Sequence, residues 1–329
     1  MVSGRMPDGT RVRVGDLALP EAVRILAGTG LWLGTGAFVV HLRTDSAARA
    51  GAVVAAHADH RVSRAPAIHD FPLTIARTSG RFGLPARRPG VQARIDGEPL
   101  FEPFPEAYAF AMFESTLNWC IARYVHRHLT FHAGAVEREG RAVILTGPSG
   151  SGKSTLCAAL SQGGWRLLSD ELVLLDLSRK PGVPGIPEII ANPRPISLKN
   201  EAIDRIAARN PQARFSARFE NTVKGTIAFV HPRPEAVRRA GETVAPALVV
   251  APTYRPGADL AVEEIAKAAG FMMMVENAVN YFTTGRPGFE ALAALSDRSR
   301  FYRLTYGDID QAVAAITELH ATAGGGGAA

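Results

Sequence analysis

Two short stretches carry residues that could do chemistry. The first, GPSGSGKST at 147–155, sets four residues between two glycines and follows them with lysine, serine and threonine. That pattern wraps a polyphosphate, because glycine lets successive backbone N–H groups converge on phosphate oxygens. The nucleotide-holding set is then Gly147, Pro148, Ser149, Gly150, Ser151, Gly152, Lys153, Ser154 and Thr155. Lys153 would reach the β and γ phosphates, and the Ser154 hydroxyl would hold magnesium. The flanks suit the motif: AVILT before it reads as a buried strand and STLCAAL as a helix, whose amino terminus favours an anion. The second stretch is WRLLSDELVLLD at 165–176, where Asp170 and Glu171 interrupt an apolar strand pattern. Two carboxylates inside a sheet are costly unless a cation or dense hydrogen bonding compensates them.

The elements between the two stretches tell where that pair must land. A helix of about ten residues from Lys153 advances roughly 15 Å, and Gly163-Gly164 ends it. Five strand residues at 165–169 then return roughly 17 Å. Asp170 finishes level with the glycine loop, at the carboxyl edge of the sheet where ligands of such folds bind. Its compensating partners would be a magnesium ion, Lys153 and a substrate hydroxyl. His132 lies 15 residues before Gly147, on a strand expected to form a hairpin with the one leading into the loop. A hairpin would bring its side chain toward the same edge.

Composition sets the bounds. A chain of 329 residues with 47% apolar and 21% charged content is globular and long enough for two domains. No apolar run is long enough to span a bilayer, and the first residues lack the apolar core of a secretory signal. Cys120 and Cys157, the two cysteines, exclude a disulfide framework and fit a reducing cytoplasm. The net charge is +6, but the arginines are scattered and no aromatic platform accompanies them, so nucleic acid is not the expected partner. Five of the 37 basic residues are lysine: Lys153, Lys180, Lys199, Lys224 and Lys267. In an arginine-rich chain, a retained lysine can mark a place that needs a compact ammonium. His57, Asp59 and His60 have a spacing that could hold a metal, on the weak ground of three residues in one loop.

Along the chain, 1–103 reads as a smaller amino-terminal region, mostly β or α+β. A connecting helix follows at 104–127, with Phe110, Phe113, Leu117, Ile121 and Tyr124 at spacings of three and four. The loop-bearing α/β domain is expected at 128–320, and a flexible glycine-rich tail at 321–329. Further strands are expected in GTIAFVH and APALVVAP, and helices over 261–279 and 309–319. The methionine-rich GFMMMVENAVNYF at 270–282 reads as helical core, with Asn277 and Asn280 as residues that could line an acceptor side.

The strand with His132, the glycine loop 15 residues on and the acidic pair 17 residues after Lys153 together resemble the catalytic domain of HPr kinase/phosphorylase. That fold is related to phosphoenolpyruvate carboxykinase. The chain is still more similar to the HPr-kinase-related kinase A family, through LNWCIA, GSGKSTLCAAL, GWRLLSDEL, PRPISLKN and VKGTIAFV. The resemblance implies an α/β P-loop kinase that uses ATP and Mg2+ to phosphorylate a serine hydroxyl of a peptide or small protein. Carried onto this chain, Asp170 would be the base and Glu171 its acidic neighbour near magnesium, so that Ser154, Asp170 and Glu171 make the metal set. His132 would steady Asp170 or the phosphate in transfer. Lys199 and Lys224 would add positive charge. Relatives tend to be encoded beside small peptide-binding or exosortase-associated partners, which points to a peptide acceptor. PEIIANPRPISLKN at 187–200 lacks the glutamate-arginine-glycine-rich signature that HPr kinases proper carry in association with their phosphorylase reaction. The resemblance therefore does not extend to dephosphorylation, to HPr as acceptor or to a hexamer, and a homo-oligomer stays open.

Three other readings share the glycine loop. A small-molecule hydroxyl kinase differs only in its acceptor pocket. A non-catalytic nucleotide-binding regulator would tolerate loss of Asp170. An ABC-type ATPase needs a signature loop and a distant acidic strand, and the downstream half has no apolar run that ends in Asp-Glu.

Overall fold

The computed structural model describes residues 4–7, 11–78, 90–178 and 187–323. The RFGLPARRPG turn, the proline-rich 178–188 loop with Lys180, and the glycine-rich tail lie wholly or largely outside these residues. The chain is mixed α/β and divides into two compact units, Met1–Arg123 with Phe215–His231, and Tyr124–Arg214 with Pro232–Ala329.

The first unit is built on a six-stranded sheet of β1 (Leu31–Gly34), β2 (Val39–Thr44), β3 (Arg61–Ser63), β4 (Phe71–Arg77), β5 (Val91–Ile95) and β6 (Glu98–Pro99), in the order β3-β1-β2-β4-β5-β6. Strand alternation explains β4, where Phe71, Leu73 and Ile75 are buried and the residues between them are not. Helices α1 (Leu19–Ala27) and α2 (Ala47–Ala56) pack on each other. Helix α3 (Ala109–Tyr124) buries Phe110, Phe113, Leu117 and Ile121 as the periodicity demands, whereas Tyr124 is exposed. It starts five residues later than expected, because Pro105 holds Phe104 extended and Phe104 pairs with Val91. The metal reading of His57 and His60 is corrected here. His57 Nε2 lies 3.2 Å from Glu114 Oε1 and its ring packs on His60. No group of three or more His, Cys, Asp or Glu among the described residues could hold a metal ion.

The second unit opens with the hairpin β7 (His128–Arg138) and β8 (Arg141–Thr146). Glu139 and Gly140 both take positive φ in its turn, which suits strand twist. Next come α4 (Lys153–Gln162), β9 (Arg166–Ser169), β10 (Leu172–Asp176), β11 (Ile189–Ile190), β12 (Ile196–Lys199) and α5 (Glu201–Arg209). The chain then contributes β13 (Phe219–Thr222) and β14 (Gly225–Val230) to the first unit. It resumes with α6 (Pro234–Arg238), β15 (Ala245–Tyr254), β16 (Ala261–Ile265), α7 (Lys267–Glu276), α8 (Tyr281–Arg298), β17 (Arg300–Tyr306) and α9 (Ile309–Ala323).

The large sheet runs β11-β10-β7-β8-β15-β17-β16, with β9 also on β7. Strands β8, β15 and β17 are parallel. Val143, Ile144, Leu145, Leu248, Val249 and Val250 are fully buried, as parallel strands covered on both faces require. The helix expected over 261–279 is a correction. Residues 261–265 form strand β16, whose Glu263 and Glu264 pair with Arg303 and Arg300 of β17, and the helix begins at Lys267. Helix α8 went unforeseen because Gly285, at φ 56°, kinks it ahead of Pro287. Both cysteines are free and buried. No helix among the described residues is long and apolar enough to cross a membrane.

Candidate active site

Strand β8 runs into the 147–155 loop, and the loop runs into α4. Gly147, Gly150 and Gly152 take φ values of 132°, 85° and 101°, a region only glycine enters cheaply. A side chain on Gly152 would also overlap the Tyr306 hydroxyl. Gly152 is the N-cap of α4 and brings no side-chain cap, so the first N–H groups of the helix are left for another acceptor. Pro148, Ser149 and Gly150 are exposed, while Ser151 and Lys153 are buried. The Ser151 Oγ has no hydrogen-bond partner. Ser154 and Thr155 are half-buried on the first turn.

Lys153 curls back over its own loop and donates to the Gly147 carbonyl at 2.6 Å and the Pro148 carbonyl at 2.9 Å. Burial pushes its pKa down, the charges of Glu171 and Asp170 oppose that, and Lys199 adds to it. These effects bring four predicted residues, Lys153, Asp170, Glu171 and Lys199, into one electrostatic neighbourhood.

The acidic pair occupies a break between two strands laid end to end along β7. Ser169 of β9 pairs with Ala135, and Leu172 of β10 pairs with His132. Asp170 therefore follows the last residue of β9 directly, at that strand's carboxyl end and beside the middle of β7. It is level with the glycine loop, close enough that the Ser154 hydroxyl and Lys153 both hold its pKa down. Glu171 takes φ 75° and the Leu172 N–H donates to the Asp170 carbonyl at 3.0 Å, which makes a γ-turn of the rare positive-φ form. The Ser169 hydroxyl donates to the Leu172 carbonyl at 2.5 Å and clamps the ends of the break. The turn interrupts strand alternation, and both carboxylates act on Lys153.

The Asp170 pKa is raised to about 7. Burial is the main cause and the neighbouring Glu171 charge the second, while the Ser154 hydroxyl, Lys153 and a backbone N–H pull it down. A carboxyl poised near neutrality can take a proton from a substrate hydroxyl. His132 is half-exposed and its Nδ1 lies 3.9 Å from Glu171 Oε1, so among the two carboxylates it faces Glu171. Its own N–H donates to the Asn277 carbonyl at 2.8 Å, which ties the end of α7 to β7. Asn280 does not line an acceptor side. It is buried, accepts from Thr130 N and donates to the Val125 and His128 carbonyls, so it pins the start of β7. Met274 is core, while Met272 is exposed.

Lys199 ends β12, half-buried. Lys224 is exposed in the β13–β14 turn and belongs to the first unit. Sequence reasoning missed Gly134. A Cβ there would come within 3.3 Å of Cys157 Sγ and 3.4 Å of Asp170 Oδ1, so the missing side chain makes room for the carboxylate. A glycine inside the strand HAGAV was the available signal. Cys157 itself is buried, and burial pushes its thiol well above the ordinary range, so it is not a nucleophile.

No family model matches the chain, and no curated protein does. Among solved structures it is similar to the Hpr(Ser) kinase/phosphatase from Coxiella burnetii, at 12% identity and a TM-score of 0.25, over 59% of this chain and 95% of that one. A likeness that shallow fixes neither fold nor activity.

Proposed function

We propose that the second unit is an ATP-dependent kinase that transfers the γ-phosphoryl group to a serine hydroxyl of a peptide or small protein. One observation carries the reading. A buried carboxyl with a pKa of about 7 feels both Lys153 and Ser154, the residue that follows the loop lysine on the uncapped first turn of α4.

In this reading the loop N–H groups and the start of α4 hold the phosphates. Lys153 releases its two carbonyls and turns to the β and γ oxygens, and Lys199 adds a second positive charge. The Ser154 hydroxyl and the Asp170 and Glu171 carboxylates are hard oxygen donors that would hold magnesium, which would supply charge stabilisation for the departing phosphate oxygen. Asp170 takes the proton as the serine O–H bond breaks and the new O–P bond forms. The β–γ bridging bond breaks with its electron pair leaving on ADP. Glu171 keeps Asp170 basic through its charge, and His132 holds Glu171. No covalent protein intermediate is needed, because phosphoryl transfer rests on positioning and charge stabilisation.

The test is incubation with γ-labelled ATP and a lysate of the source cells, followed by mass spectrometry of whatever is labelled. Label on a serine-containing peptide supports the proposal. Label confined to a metabolite makes the protein a small-molecule kinase, and nucleotide binding without any transfer makes it a regulator.

A further inference from the structure

We infer that Arg205 and Tyr254 form the seat for the base of the bound nucleotide, an inference that rests on the nucleotide reading of the glycine loop. Tyr254 is the last residue of β15, the parallel neighbour of the strand that leads into the loop. Ligands of such sheets lie beyond the carboxyl ends of the strands. The contact with the loop is direct, since Tyr254 N–H donates to the Ser151 carbonyl at 3.0 Å.

The Tyr254 ring rests on Tyr306, with centroids 5.4 Å apart, and Tyr306 in turn abuts Gly152. Across Tyr254 lies the Arg205 guanidinium, 5.3 Å from the ring centre. Two hydrogen bonds fix the plane of that guanidinium. Nη1 donates to Tyr254 Oη at 2.6 Å and Nη2 to Glu201 Oε2 at 2.9 Å. One face of the group is thus spent on the tyrosine, while 41% of the side chain remains exposed. A flat cation held rigid with a wet face suits a purine, which stacks well on arginine. Lys199, whose charge acts on Lys153, precedes α5 by two residues, and Arg205 lies one turn into that helix.

Full-length protein would be titrated with Mg-ATP and with Mg-tripolyphosphate, which has the phosphates and no base. The variants are Arg205→Ala and Arg205→Lys, the second keeping the charge without the plane. Both are expected to bind ATP about ten-fold more weakly and tripolyphosphate as the wild type does. Unchanged ATP affinity overturns the inference, and so does an equal loss for both ligands, which would mean that Arg205 only supports the loop. If the wild type binds neither ligand, the nucleotide reading itself falls and takes this inference with it.

Discussion

Asp170 stands close enough to Ser154 for that hydroxyl to lower its pKa, which brings the break between β9 and β10 up to the first turn of α4. The two are sixteen positions apart in sequence, and a helix and a strand are used to close that gap. That hydroxyl favours the ionised carboxylate, yet burial and Glu171 outweigh it. The acid is therefore held half-protonated near neutral pH, which has consequences for stability as well as chemistry.

Asp170→Asn should give a better-folded protein with no turnover. The raised pKa means that the folded state binds a proton the unfolded chain has released. Its stabilising share is therefore complete below the unfolded value of about 3.9 and is lost as pH rises through about 7. In urea melts the variant should match the wild type near pH 4 and gain on it up to pH 7, at no more than about 1.4 kcal/mol per pH unit, with a constant lead above. ATP should still bind. A variant that is no more stable at pH 8 than the wild type would contradict the assignment.

Glu171→Gln removes the second cause of the raised pKa. The acid limb of kcat/KM reports the free enzyme's base, and it should move from near 7 toward lower pH. A limb that stays in place would mean that a group other than Asp170 is titrating.

Gly134→Ala presses a methyl group against Cys157 and Asp170, which must give by a few tenths of an ångström. Turnover should drop at least ten-fold with a stability loss of about 1–3 kcal/mol. Adding Cys157→Ala should restore much of the stability and little of the activity, because the carboxylate stays displaced. Recovery of both together would show that the thiol contact was the whole effect.

Gly152→Ala meets two obstacles, the φ of 101° and the Tyr306 hydroxyl. The backbone strain is worth about 1–3 kcal/mol. Thermal melts and ATP titrations should show loss of both stability and binding. Tyr306→Phe in the same chain should return only the part due to overlap.

The parts of this site that lie close in sequence were open to reading. The glycine loop is nine consecutive residues, and the approach of Asp170 to Lys153 follows from adding a helix rise to a strand return. What the sequence hid depends on pairings made at long range. That Glu171 acts on Lys153 together with Asp170 follows a γ-turn, and the turn exists because β9 and β10 both pair with β7. Arg205 and Tyr254 are 49 residues apart and meet through a hydrogen bond and a cation–π contact. Residues 261–265 merged with the following helix because AVEEI has too few residues to declare a period, and only its partners on β17 make it a strand.

The left-handed backbone at Glu171 also bears on how this protein could be engineered. Glycine or asparagine would occupy that conformation with less strain, and an uncharged residue at Asp170 would remove a buried acid. A library screened for heat resistance alone would drift toward such replacements at both positions. On the proposed kinase reading its winners would outlast the parent and transfer no phosphate, so a screen of this protein would have to select for turnover alongside survival.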